Sequence, residues 1–88
     1  MPKYKIFFSK PAIQELKKIT EYLQVKIKEK IQNLSQNVSM PSVKKIKGKP
    51  NLYRLRVGNY RVVFEKQDDK LIIIIIRIRH RKDIYRNL

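Results

Sequence analysis

The residues of this 88-residue chain that best suit chemistry on a phosphate are seven arginines, a single histidine and a tyrosine near the end. All seven arginines lie in the second half, and between Lys44 and Arg61 there are seven cations and no acid. The planar guanidinium fork matches two oxygens of a phosphate. The cations of this half are therefore candidates for binding an RNA backbone: Lys45, Lys47, Lys49, Arg54, Arg56, Arg61 and Arg79.

A further group of candidates follows an apolar run, in the stretch LIIIIIRIRHRKDIY from residue 71 to residue 85. His80 can exchange a proton near neutral pH and is a candidate for acid–base work. A lone histidine in a basic segment is, however, more often an exposed surface residue. Tyr85 is as consistent with packing on a sheet edge as with function.

Cations and a tyrosine without metal ligands favour cleavage of RNA by its own 2′-hydroxyl. The protein then positions the strand, neutralises charge on the phosphoryl oxygens and protonates the leaving 5′-oxygen. One histidine and no cysteine cannot build a zinc site, and Asp68 and Asp69 sit where a turn is expected. Gly48 and Gly58 are isolated, so no glycine-rich phosphate loop is present. We expect neither a metal nor a cofactor.

The composition is that of one small globular domain with a polyanionic partner. The chain has 42% hydrophobic residues, no cysteine and a net charge of +15, so it can form a core but repels itself. The N-terminus lacks the apolar segment of a signal peptide. The apolar run at residues 71–76 is far shorter than the ~20 residues that span a bilayer. A soluble cytoplasmic protein without membrane contact is expected.

The hydrophobic pattern predicts an α+β domain of order β-α-α-β-β-β, with a helical hairpin packed on one face of a small, mainly antiparallel sheet. Apolar residues at helical spacing indicate helices over residues 10–18 and from residue 21 to 36 or 37, with one bent helix as the alternative. Residues 41–50 are expected to form a basic loop. β-Branched and aromatic runs indicate strands at residues 4–9, 52–57, 60–65 and 71–78.

Alternation along the strands predicts which side chains share a face. In the hairpin at residues 52–65, three arginines are predicted on one face of the sheet: Arg54, Arg56 and Arg61. Three aromatic residues are predicted on the opposite face: Tyr53, Tyr60 and Phe64. The aromatic residues are predicted to be core under the helices rather than a platform for bases. The strand at residues 71–78 is predicted to be central, with Ile74 in the core and the cations at its exit. Arg77 has the parity of the arginines and could pair with Glu65.

Two segments resemble a known protein family. The segment VKKIKGKPNLYRLRVGNYRVVFE, residues 43–65, and the ending IIIIRIRHRKDIYRNL are similar to the RelE branch of the RelE/ParE toxin superfamily. The pattern KGxxxxYRxRxGxYR is common to the superfamily. The ending HRKDIY resembles the RelE branch and not the gyrase-poisoning ParE branch. The resemblance covers essentially the whole chain.

The resemblance implies a toxin that cleaves mRNA in the ribosomal A site without a metal, leaves a 2′,3′-cyclic phosphate and is silenced by an antitoxin. The partner implied is RelB-like, acidic or amphipathic, in a complex that could be a heterotetramer. Arginine hardly deprotonates, so the arginines would be clamps or charge stabilisers rather than bases. The implied roles are phosphate binding by Arg54, Arg56 and Arg61, and base stacking or 2′-hydroxyl orientation by Tyr85. Leaving-group protonation is given to Arg81 with His80, and Arg79 competes with them for this role.

Two other functions stay open from the sequence. One is a non-enzymatic toxin that poisons DNA gyrase, as ParE proteins do. The other is a basic RNA- or ribosome-binding module without chemistry. An arginine-rich face that converges with the segment from His80 to Tyr85 favours the nuclease, because neither alternative needs such convergence.

Overall fold

The chain forms one strand, two helices and four further strands in a computed structural model, which describes residues 3–37 and 39–80. The predicted α+β class is confirmed, with one strand more than the sequence pattern indicates. The elements are β1 (Lys5–Phe8), α1 (Lys10–Lys17), α2 (Glu21–Leu34), β2 (Val43–Lys45), β3 (Leu52–Val57), β4 (Tyr60–Gln67) and β5 (Ile72–His80).

The helices α1 and α2 are separate, as the sequence favours over one bent helix. The Ser9 hydroxyl accepts a hydrogen bond from the Ala12 amide at 3.2 Å and caps α1, and Pro11 suits its first turn. Thr20 occupies the same place before α2, but its side chain makes no capping hydrogen bond. Neither helix in the described part of the chain has the length and apolar character to cross a membrane.

The five strands lie in the order β1-β5-β4-β3-β2. β1 runs parallel to β5, and the other neighbours are antiparallel. β5 therefore lies inside the sheet, as predicted from its apolar run. The expectation of a loop over residues 41–50 is wrong in part, because β2 forms there and pairs with β3. The sequence VKK offers a single apolar residue, so its strand character depends on that pairing.

The hydrophobic core lies between the helices and one face of the sheet, which we call the helix face. Tyr53 and Tyr60 pack against it, and the Tyr53 ring stacks on Phe64 with centroids 5.6 Å apart. These rings belong to the core, as predicted. The buried residues of the cluster are Ala12, Leu16, Ile19, Ile27, Ile31, Leu34, Leu55, Val62, Phe64, Ile73, Ile75 and Ile78.

A β-bulge interrupts the pairing of β4 with β5. On one side of it Phe64 pairs with Ile75, and on the other Val63 pairs with Arg77, so Ile76 is the additional residue of β5. An additional residue in one strand shifts the alternation of its side chains between the two faces by one position.

The bulge decides on which face the cations of β5 lie. Ile73 and Ile75 are in the core before the bulge, and Ile78 is in the core after it. Strict alternation from Ile75 would direct Arg77 and Arg79 towards the helices. With the bulge, both arginines lie on the opposite face of the sheet.

Two expectations about β5 differ from the structure. The sequence predicts a strand that ends at residue 78 with the cations leaving its end, whereas the strand continues to His80 and so includes Arg79. It also predicts Ile74 in the core, whereas Ile74 is half-buried and pairs with Phe7 of β1 on the face opposite the helices. Because five successive residues are all isoleucine, the sequence has no alternation there that could show which of them face the helices.

Candidate functional site

Three arginines lie directly opposite one another on three neighbouring strands. Arg56 of β3 pairs with Arg61 of β4, and Arg61 pairs with Arg79 of β5. We call these three residues the arginine row, and the face opposite the helices the arginine face. Directly opposite residues of antiparallel strands have Cα atoms about 4.5–5.5 Å apart, so the row spans roughly 10 Å.

The arginine row is costly for the fold by itself. Like charges directly opposite each other destabilise a sheet. Arg56 is exposed, but Arg61 and Arg79 are half-buried, so water screens the repulsion only in part. Arg61 Nη1 lies 3.3 Å from the Gly58 carbonyl and 3.2 Å from the Tyr60 carbonyl. An anion that bridges the row would offset the repulsion.

A second row of cations runs beside the first. Lys44 of β2 pairs with Arg54, Arg54 with Val63, and Val63 with Arg77. Val63 has no exposed surface although it lies outside the core cluster, which fits burial under the aliphatic stems of its arginine neighbours. A depression of about 340 Å³ opens between the two rows, lined by Pro41, Ser42, Lys44, Arg54, Arg56 and Arg61.

The arginine face thus holds more cations than alternation in the hairpin indicates. Arg54, Arg56 and Arg61 lie on it together, as expected, and Arg79 joins them. Lys44 and Arg77 are additional members that were not candidates for RNA binding, although the sequence gives Arg77 the parity of the arginines. Lys44 reaches this face through the unexpected strand β2, and Arg77 through the bulge.

A single carboxylate, that of Glu15 in α1, binds three successive residues of β5. Glu15 Oε1 accepts a hydrogen bond from the Ile78 amide at 2.9 Å. Glu15 Oε2 is 2.5 Å from Arg79 Nε and 3.3 Å from Arg77 Nη1. Arg77 therefore pairs with Glu15, whereas the sequence offers Glu65. The one signal for Glu15 in the sequence is that it is the only acid of α1.

The lysine candidates lie at the other end of β3 from the arginine row. Lys45 pairs with Tyr53, which places it on the helix-face side, and Lys47 and Lys49 lie in the turn between β2 and β3. At about 3.3 Å per strand residue, Tyr53 and Arg56 are roughly 10 Å apart. The structure does not bring these three lysines into the arginine row.

His80 does not lie with the arginine row either. It pairs with Tyr60, and the two rings meet edge to face with centroids 5.5 Å apart. Because Tyr60 packs against the core, His80 lies on the helix-face side, opposite to its neighbour Arg79. The other two catalytic candidates, Arg81 and Tyr85, lie outside the described residues.

A different polar contact closes the far end of the sheet. The Tyr4 hydroxyl donates a hydrogen bond to Asp68 Oδ1 at 2.6 Å, and Lys66 Nζ is 3.6 Å from the same oxygen. The hydrogen bond lowers the pKa of Asp68 and raises the pKa of Tyr4, because it favours the ionised carboxylate and the protonated phenol. This contact is remote from the arginine row and belongs to the fold.

The arginine face can bind and neutralise an anion. Guanidinium groups stay protonated in proteins and present donors in a plane that suits phosphate oxygens. Several such groups at strand spacing suit a chain of phosphates better than one small anion. Within residues 3–37 and 39–80, no group of three or more His, Cys, Asp or Glu side chains could hold a metal ion.

Known proteins resemble this chain over nearly its whole length. Residues 6–85 match the family model for the ParE toxin of type II toxin-antitoxin systems. The chain is 42% identical over 85 residues to Toxin RelE3 of Methanocaldococcus jannaschii, across 92% of this chain and 94% of that protein. It is 26% identical over 86 residues to the mRNA interferase toxin RelE of Escherichia coli (strain K12), across 93% of this chain and 90% of that protein.

Solved structures share the fold. The chain superimposes with a TM-score of 0.75 and 37% identity on a chain of the RelB-RelE antitoxin-toxin complex from Methanococcus jannaschii, across 93% of this chain and 98% of that one. It superimposes with a TM-score of 0.77 on the isolated E. coli RelE toxin. Because the two sequences are only 20% identical, this similarity shows a shared fold and no more. Sequence and structure agree: the chain belongs to the RelE branch of the RelE/ParE superfamily, the toxins of type II toxin–antitoxin systems.

Proposed function

We propose that this chain cleaves mRNA in the A site of translating ribosomes, without a metal ion, as the toxin of a toxin–antitoxin module. The observation that carries the proposal is the arginine row, in which three guanidinium groups lie on neighbouring strands at a spacing that suits a chain of phosphates. The relative from E. coli that is named an mRNA interferase supports the same activity.

The proposed reaction forms a bond from the 2′-oxygen of a nucleotide to the adjacent phosphorus and breaks the bond to the 5′-oxygen. The 2′-hydroxyl loses its proton and the 5′-oxygen gains one, so the products are a 2′,3′-cyclic phosphate and a 5′-hydroxyl. Negative charge grows on the phosphoryl oxygens on the way. Arg61, in the middle of the row, and Arg79 beside it would stabilise that charge, since fixed cations need no reorganisation during the reaction.

The remaining candidates take roles around this centre. Arg54 and Arg56 would hold the flanking phosphates, and the turn with Lys45, Lys47 and Lys49 a more distant part of the mRNA or of the ribosomal RNA. Tyr85 would stack on a base or orient the 2′-hydroxyl. Arg81 would support protonation of the leaving group. His80 is the weaker candidate for that task, because its ring lies against Tyr60 on the helix-face side.

We further propose that a RelB-like antitoxin of acidic or amphipathic character silences the chain in the cytoplasm. A relative of known structure is described as a RelB-RelE antitoxin-toxin complex. A groove of about 570 Å³ between α2 and β3 has both apolar and charged walls, including Leu23, Lys26 and Val57. Arg56 lines the groove and is also part of the arginine row. An occupant of the groove would therefore reach the phosphate-binding residues.

Primer extension on mRNA in translating ribosomes, with purified protein added, tests the proposed reaction. We expect new 3′ ends inside A-site codons, each with a cyclic phosphate, and no cleavage where the attacking 2′-hydroxyl is methylated. Ends with a 3′-hydroxyl and a 5′-phosphate would contradict attack by the 2′-hydroxyl. Intact mRNA with inhibited gyrase would favour the ParE activity, and ribosome binding without any cut would favour a binding module.

A further inference from the structure

We propose that Glu15 is a positioning residue for this reaction, which holds the bulge of β5 and orients Arg79 towards the phosphate next to Arg61. The inference rests on the proposed nuclease function. It extends that function to a helix residue that has no contact with the RNA in the mechanism above.

The bulged part of β5 has lost its neighbouring strand. β1 pairs with β5 only as far as Ile75, so the backbone groups that follow need other partners. The Ser9 hydroxyl donates a hydrogen bond to the Ile76 carbonyl at 2.8 Å, and Glu15 Oε1 accepts one from the Ile78 amide at 2.9 Å. Along the bulge, Ser9 at the start of α1 and Glu15 in its second turn thus supply the hydrogen-bond partners that β1 supplies to the earlier part of β5.

This hold on the bulge matters for the arginine face. Without the additional residue, alternation would direct Arg77 and Arg79 towards the helices and leave Ile78 on the arginine face. Glu15 contacts all three of these residues. It therefore stabilises the one strand register in which β5 contributes cations to the arginine face.

The second oxygen of Glu15 sets the direction of Arg79. Its contact is with Nε, one of five N–H donors of the guanidinium group, so this contact does not itself use the two terminal amino groups. Arg61 lies directly opposite Arg79 on β4. A guanidinium fixed at Nε can present its terminal fork to a phosphate that Arg61 also contacts, with little rotational freedom to lose on binding.

The charge of Glu15 argues that its role is geometric. A carboxylate next to the phosphate-binding row weakens the attraction for RNA, and with 17% of the side chain exposed it is only partly screened. Removal of the charge should therefore strengthen RNA binding if electrostatic attraction alone mattered. A loss of cleavage together with unchanged or stronger binding is the signature of lost positioning.

The test compares Glu15→Gln with Glu21→Gln, which removes the same charge at an exposed position of α2. We expect Glu15→Gln to lower single-turnover cleavage on ribosomes by about 10-fold or more, since small misplacements near a reacting group are costly. Affinity for ribosomes that carry 2′-O-methylated mRNA should be unchanged or higher. The Glu21→Gln control should cleave like the wild type. Equal cleavage by both variants would overturn the inference.

A double-mutant cycle shows whether Glu15 acts through Arg79. In a chain that carries Arg79→Ala, the further change Glu15→Gln should have little effect, because residues that act as a unit are non-additive. An equal fold-loss in both backgrounds would overturn the inference. If Glu15→Gln does not fold, Arg79→Lys replaces it, since lysine keeps the charge but lacks Nε. Arg79→Lys should lose cleavage, and wild-type cleavage by it would also overturn the inference.

A readout without cleavage separates this inference from the nuclease proposal. In protein labelled with ¹⁵N-arginine, the Arg79 Nε–H signal should be shifted and slow to exchange in the wild type and in Glu21→Gln, and should lose both properties in Glu15→Gln. A signal unaffected by Glu15→Gln would overturn the orientation of Arg79. If the wild type cuts nothing on ribosomes, the nuclease proposal fails, whereas a signal that depends on Glu15 would still support the orientation.

Discussion

At the scale of single residues, Arg61 and Arg81 should differ in what their removal does. Arg61 sits inside the arginine row and should contact phosphate both before and during the reaction, so Arg61→Ala should weaken ribosome binding as well as cleavage. The slope of log affinity against log salt concentration should fall in magnitude by about 1, the value for the loss of one phosphate contact. Arg81→Ala should lower single-turnover cleavage by about 10²-fold with little change in affinity, as expected for an interaction made mainly in the transition state.

Lys28→Ala, on the exposed side of α2, is the matched control for charge loss in both measurements. Intact cleavage by Arg81→Ala would contradict the role given to that residue. In that case His80 or Arg79 would become the candidate for protonation of the leaving group.

Asp68 gives the fold a contact that depends on pH. The hydrogen bond from Tyr4, aided by the charge of Lys66, holds the pKa of Asp68 below its ordinary value of 3.8. A lowered pKa in the folded state contributes stability that is present above the ordinary value and is lost as the pH falls through the folded value. The contribution should be small, since the carboxylate is exposed.

Thermal melting of Asp68→Asn should therefore lie slightly below that of the wild type at pH 7, and the two should converge well below pH 3.8. Asp69→Asn, in the same turn, is the control. A gap between wild type and Asp68→Asn that stays constant down to the lowest pH would contradict the linkage.

At the scale of elements, Ser9 joins α1 to the bulged strand. Its hydroxyl accepts from the Ala12 amide and donates to the Ile76 carbonyl. Ser9→Ala should lower the free energy of unfolding by about 1–2 kcal/mol, the range for loss of a helix cap together with a part-buried hydrogen bond. Thr20→Ala should lower the free energy of unfolding by only about 0.3 kcal/mol, because Thr20 makes no capping hydrogen bond. Urea unfolding checks both, and equal costs would contradict the assignment.

Neighbouring isoleucines of β5 should respond very differently to a charge. Ile75 is fully buried on the helix face, so Ile75→Asp should cost several kcal/mol, roughly the whole stability of a small domain. Ile74 is half-buried on the arginine face, and Ile74→Asp should leave a cooperative thermal transition at lower temperature. If Ile74→Asp unfolds while Ile75→Asp melts normally, Ile74 and not Ile75 would face the helices.

The sequence predicts most of this architecture, including the face on which Arg77 lies, but not the bulge that lets Ile73 and Ile75 face the helices in the same strand. Alternation places Arg54, Arg56 and Arg61 on one face because β3 and β4 each follow a period of two. The bulge has no such signal, since residues 71–76 are apolar at every position. Glu15 is hidden for another reason: its partners Arg77 and Arg79 are 62 and 64 residues away, a separation that no local pattern can bridge.

At the scale of the whole molecule, a net charge of +15 should govern how the antitoxin binds. The complex should weaken as salt rises, because part of the attraction comes from screened surface charges. Arg56→Glu should weaken it further, since Arg56 lines the groove beside α2 and belongs to the arginine row. Lys10→Glu, exposed at the start of α1, is the matched control. An affinity that depends on neither salt nor Arg56 would contradict the proposal that the antitoxin binds this groove.

The pairing of the first strand with the last has a consequence for synthesis. Every register partner of β1 lies in β5, and the bonded pair of Ser9 and Ile76 is 67 residues apart. A nascent chain emerges N-terminus first, so β1 waits without its neighbour until β5 has been made, and such long-range pairing forms slowly. β5 also brings Arg79 to the arginine row. Under the proposed function, toxicity would thus arise only after β5 has been translated, and an antitoxin already present could bind the chain while it folds.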